Sequence, residues 1–116
     1  MAVIALSVGE MQDSAKSTKS LMHAKQIVIA CKRYATEHEG QYPPSLEALV
    51  PKYLGDASAL TSPFQKDQTG TGYEYWPGLT DKPPPNTVVV RDAFDSKRGR
   101  RALARADGSG EVVREK

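Results

Sequence analysis

The feature that most constrains this chain is an uninterrupted run from Ser14 to Glu39 containing neither Gly nor Pro. Within it Leu21, Ala24, Val28, Cys31, Ala35 and His38 recur at alternating spacings of three and four, which is one face of a helix. Ile27 and Tyr34 widen the stripe, while Lys25, Lys32, Arg33, Glu37 and Glu39 fall mostly on the other side, where they stay solvated. Gly40 stands where a C-terminal cap belongs, and Pro43 and Pro44 forbid continuation. The start is less sharply marked: Ala2 to Met11 can be helical too, with only Gly9 opposing it at ~1 kcal/mol.

Beyond the helix the pattern changes. Ser45 ahead of Leu46, Glu47, Ala48, Leu49 and Val50 predicts an N-cap and a short helix closed by Pro51. Residues 51 to 71 read as loop, with Tyr53, Leu54, Leu60 and Phe64 available to pin it to a core. Tyr73 to Trp76 alternates as a short strand ended by Pro77 and Gly78, and Pro83, Pro84 and Pro85 make an extended linker. Thr87 to Val90 is strongly β-prone. Arg101 to Ala106 and Glu111 to Arg114 flank Asp107, Gly108, Ser109 and Gly110, which suit a tight hairpin. The expectation is an α+β fold in a single domain spanning 1–116. A long N-terminal helix occupies about 1–40, a short helix and loop 41–71, and a small antiparallel sheet of three or four strands 72–116. A sheet this small cannot bury itself, so the apolar face of the helix must cover it.

Length and charge narrow the function classes. At 116 residues the chain makes one domain, too small for a two-domain enzyme. A net charge of +2 argues for no nucleic-acid or membrane partner by itself. The lone Cys31 cannot form an intramolecular disulfide. The apolar opening, Met1 to Val8, is far short of the ~20 residues needed to span a bilayer.

The run Ala24-Lys25-Gln26-Ile27, through Tyr34 and Ala35, to Glu39-Gly40-Gln41-Tyr42-Pro43-Pro44-Ser45-Leu46 and Leu49-Val50-Pro51 resembles the helix-to-loop passage of bacterial type II secretion pseudopilins and type IV pilin-like proteins. The closing Asp107-Gly108-Ser109-Gly110-Glu111-Val112-Val113 is similar to the terminal hairpin of their Asp-Gly-tailed branch. The resemblance covers roughly residues 15 to 114. It implies a continuous N-terminal helix, its first half in the inner membrane and its second half packed on a small antiparallel sheet. Two departures stand out. The family's Gly-terminated leader and apolar membrane helix are absent, so Met1 to Val8 is expected to be the tail of that helix in a longer protein. Where many members of that branch place a His, this chain has Lys97.

No catalytic constellation is visible, and no enzyme is expected. His23 and His38 lack partners at metal-ligand spacing, and Cys31 sits on the apolar stripe as a buried, inert thiol. Gly70 and Gly72 precede a strand rather than a helix N-terminus, so they form no phosphate loop. Asp81, Asp92 and Asp95, with Asp107, are the candidates for calcium, since several major pseudopilins, which the chain resembles, bind it; they form no spaced Asp-x-Asp loop, and two of them suit turns. No other cofactor and no small-molecule substrate is expected. Lys97, Arg98, Arg100, Arg101 and Arg105 form a basic cluster that reads as a DNA-binding feature, a solvated turn or a complement to a neighbouring subunit. Tyr53, Tyr73, Tyr75 and Trp76 read as core rather than as a sugar platform.

The resemblance therefore implies a structural subunit of a pseudopilus or pilus-like filament in protein secretion or envelope assembly. It would be anchored in the inner membrane of a bacterial cell envelope with its head in the periplasm or outside, and its partners would be further subunits in a homo-oligomer. Leu21, Ile27, Val28, Cys31 and Tyr34 are expected to pack the head, and Arg98, Arg100 and Arg101 to contact neighbours. The alternative is an envelope-displayed module that recognises DNA or polysaccharide.

Overall fold

A computed structural model describes residues 8–55, 57–64, 71–76, 87–93 and 100–114, with side chains on the N-terminal helix from Ala15 onward. Helix α1 spans Val8–Glu37, so it begins ahead of Ser14 as the mild penalty at Gly9 allows. It ends two residues before Glu39, because the stop is built from two left-handed residues rather than one: Glu39 has φ 58° and Gly40 φ 81°. The N–H groups of His38 and Gly40 both return to the Ala35 carbonyl, at 3.1 and 2.8 Å, closing the last turn. His38 consequently leaves the apolar stripe and is exposed.

Four strands follow: β1 (Tyr73–Tyr75), β2 (Val88–Asp92), β3 (Arg100–Arg105) and β4 (Gly110–Arg114). They pair antiparallel in chain order, as a meander. The β3–β4 turn follows the Asp-Gly signal. Gly108 sits at φ +89° with its N–H bonded to the Arg105 carbonyl, and the Arg105 N–H takes the Ser109 carbonyl at 2.7 Å. Asp107 Oδ1 accepts the N–H and hydroxyl of Ser109, which locks the turn. Gly110 is required for space: a Cβ there would stand 2.7 Å from the Leu103 carbonyl and 2.8 Å from Leu21 Cδ1.

The core lies between the sheet and the inner face of α1. Ala24, Ile27, Val28, Ala30, Cys31 and Ala35 of the helix meet Tyr73, Val89, Val90 and Ala104 of the sheet, all buried. Two consecutive valines, Val89 and Val90, are both buried because the β2–β3 register slips between Val88 and Val90, a bulge that turns both inward. Each fully buried Val or Ile contributes ~1.5–3 kcal/mol.

The segment between helix and sheet departs from expectation. Leu46–Leu49 is a single 3-10 turn, and Ser45 caps it with its backbone carbonyl, which accepts from Ala48 N at 3.3 Å, and not with its hydroxyl. A second 3-10 turn, Ala57–Leu60, falls in the stretch expected as loop, since four residues carry no readable period. Leu54 and Leu60 pin it as expected. The linker of Pro83, Pro84 and Pro85 lies outside the described residues.

Candidate interaction surface

β2 delivers Asp92 to the helix-facing side of the sheet, where it is completely buried. Its Oδ1 accepts the hydroxyls of Ser20 and Ser62, each at 2.6 Å, and its Oδ2 accepts the Ala102 N–H at 2.8 Å. Tyr73 Oη donates to the Ser20 carbonyl at 3.0 Å and lies 2.9 Å from the Ser20 hydroxyl. Burial pushes the Asp92 carboxyl up, against the pull of these donors and of the nearby Arg101 charge. One carboxylate thus ties α1, the Ser62 segment, β2 and β3 together. Its oxygens are turned into the protein, whereas calcium gathers six to eight oxygens around an ion. Asp81 and Asp95 lie outside the described residues, among which no group of three or more His, Cys, Asp and Glu is placed to hold a metal. Asp107 is committed to its turn, where the Ser109 donors hold its carboxyl below the usual range.

Of the expected partner-contact residues, Arg98 lies outside the described set. Arg100 and Arg101 open β3, both half-buried. Being consecutive in a strand they point to opposite faces, Arg100 on the side of Ala102 and Arg101 on the side of Leu103. Arg105 is engaged by Glu111 at 2.7 Å.

Cys31 is fully buried, and desolvation pushes its thiol up to about 12, so it holds no thiolate near neutral pH. His23 Nδ1 sits 3.1 Å from the Thr61 carbonyl, and His38 stacks on Tyr34 with ring centroids 3.7 Å apart. Tyr73 is core, and Tyr75 is half-buried with its hydroxyl donating to the Pro43 carbonyl at 2.6 Å. Trp76 departs from the core expectation: β1 ends before it, and it is 43% exposed with the Arg91 guanidinium 5.9 Å over its ring. Arg91 is itself held by Glu74 at 2.6 Å.

Among the described residues, the most exposed large apolar side chains are on α1. Met22 and Ile29 are 57% and 55% exposed, and beside Ile29 an open groove of about 300 Å³ runs between the helix and the Tyr53–Gly55 segment. Neither residue lies on the inner stripe, and their spacing of seven is the signal that identifies a second face. No family model matches the chain, and no curated protein or solved structure is detectably similar to it.

Proposed function

We propose that this chain is the head of a structural subunit of a pseudopilus or pilus-like filament, acting in protein secretion or envelope assembly. The observation that carries the reading is the arrangement of α1. A 30-residue helix lays one face along a four-stranded antiparallel meander within a body of 57 × 30 × 23 Å, the layout that the pilin-like resemblance implies. A helix of this length measures about 45 Å, so it runs along most of the long axis of the body. The Asp-Gly turn between β3 and β4, locked by Asp107, supports the same reading.

In such a subunit the head needs no active site, only sides that complement those of its neighbours in a head-to-tail contact. Arg100 and Arg101, the first two residues of β3, are the described members of the set Arg98, Arg100 and Arg101 proposed to make that contact. The membrane anchor of such a subunit would be the part of the helix that leads into α1, as the pilin-like resemblance implies; no helix among the described residues is itself long and apolar enough to cross a bilayer. The head would then stand on the periplasmic side of the inner membrane or beyond it.

The test begins with the gene upstream of Met1. A Gly-terminated leader followed by ~20 apolar residues is expected there. The membrane-anchored product should assemble into filaments visible by electron microscopy, and Arg100→Glu should shorten them. A product that stays monomeric in every condition, indifferent to that reversal, contradicts the reading.

A further inference from the structure

From Ser14 to Thr36 helix α1 carries five basic residues, Lys16, Lys19, Lys25, Lys32 and Arg33, and no acidic one. Two of the five are used within the fold: Lys25 lies against Gly110, and Lys32 faces the Asp107 turn. Lys19 and Arg33 are exposed and have no ion pair with any described residue. Between them stand Met22, Gln26 and Ile29, all exposed. Lys19, Met22, Gln26, Ile29 and Arg33 follow one another at spacings of three and four, which makes a straight seam opposite the buried face. The groove of about 300 Å³ opens beside it, with buried Ala30 and Leu54 in its lining and Arg33 at its rim.

We infer that this seam docks an acidic amphipathic helix of a partner protein. That helix lays apolar side chains over Met22 and Ile29, inserts one into the groove, and sets carboxylates against Lys19 and Arg33. Charge complementarity selects the occupant. A second copy of α1 laid seam to seam in register sets Lys19 on Lys19 and Arg33 on Arg33 when parallel and Lys19 on Arg33 when antiparallel, so that in-register pairing brings like charges together. An anionic membrane satisfies the charge but not the shape, because the seam offers two isolated apolar side chains without an aromatic anchor, beside a groove that takes a protruding side chain. The inference stands independently of filament assembly.

The experiment uses the whole chain and fluorescence anisotropy. Its probes are a labelled three-heptad helical peptide with a leucine seam flanked by glutamates, the same peptide with lysines for glutamates, and vesicles of phosphatidylcholine with phosphatidylglycerol. The acidic peptide is expected to bind, more weakly as salt rises from about 0.05 to 0.5 M, and the lysine peptide not to bind. Ile29→Asp should weaken binding about tenfold, the factor that ~1.4 kcal/mol corresponds to. Arg33→Glu should weaken binding to the acidic peptide and recover it with a peptide carrying lysine at the facing position, an exchange that damage to the fold cannot imitate. Equal binding of both peptides, no binding of the acidic one, binding to vesicles alone, or self-association abolished by Ile29→Asp would each overturn the inference.

Discussion

Removing the carboxylate at Asp92 should loosen the molecule at four elements at once, and the size of the effect follows from its three hydrogen bonds. In Asp92→Ala the Ala102 N–H loses its acceptor, and an orphaned buried donor costs ~1–3 kcal/mol. Ser62 and Ser20 each lose their hydrogen bond to the carboxylate, and Ser20 keeps Tyr73 within reach. Relief of the buried charge offsets part of this, leaving a net loss of about 2–4 kcal/mol. A chain of this length shifts by roughly 4 °C per kcal/mol, so thermal unfolding followed by circular dichroism should move down by about 8–16 °C. Ser62→Ala alone should cost ~1.5–3 kcal/mol, the worth of a hydrogen bond to a charged group. The double variant should fall short of the sum by about 1–2 kcal/mol, because the second substitution removes a partner already lost. If the two effects add to within about 0.5 kcal/mol, Asp92 and Ser62 are not coupled and the clamp is refuted.

Further outcomes are expected. Burial raises the Asp92 carboxyl, so the folded chain holds that proton more tightly than the unfolded one. The stability this brings is full below the unfolded value of ~3.9 and is lost as pH rises through the folded value, and urea titrations of Asp92→Asn should lack that dependence. Asp107, lowered by its Ser109 donors, acts with the opposite sign, its contribution being lost as pH falls through its folded value below ~3.9, so Asp107→Asn should alter only the more acidic limb. Gly110→Ala should cost about 1–3 kcal/mol by overpacking against the Leu103 carbonyl and Leu21, whereas Gly55→Ala, with open space around it, should be neutral or stabilising by up to ~1 kcal/mol. Glu39→Gly should raise stability by about 0.5–1 kcal/mol, since it relieves a side chain at φ 58°; a lower melting temperature would contradict this.

Much of the fold was legible because its signals are periodic. The inner stripe of α1 from Ala24 to Ala35 and the alternation of Tyr73 and Tyr75 name the faces that meet, and Asp107-Gly108 names the turn between the last two strands. What stayed hidden depends on partners far apart in the chain. Asp92 reads as a turn or calcium residue until Ser20 and Ser62, 72 and 30 positions away, are seen to converge on it. Thr87 to Val90 reads only as β-prone, and it is the slipped register that brings both Val89 and Val90 inward. Trp76 reads as core from its type alone, yet its strand ends one residue too early to bury it. Of the candidate surface, the basic residues of β3 were visible as composition, but strand geometry sends Arg100 and Arg101 to different faces. The outer seam of α1 was readable in principle from the absence of acids between Ser14 and Thr36 and from the spacing of Met22 and Ile29.

The proposal of a filament subunit is tested most directly by amine-reactive cross-linking of envelope membranes from cells expressing the complete gene, resolved by size. Head-to-tail contacts repeat without closing, so a ladder of monomer, dimer, trimer and higher multiples is predicted, shortened by Arg100→Glu. A monomer band alone, or a dimer with nothing above it, would contradict filament assembly.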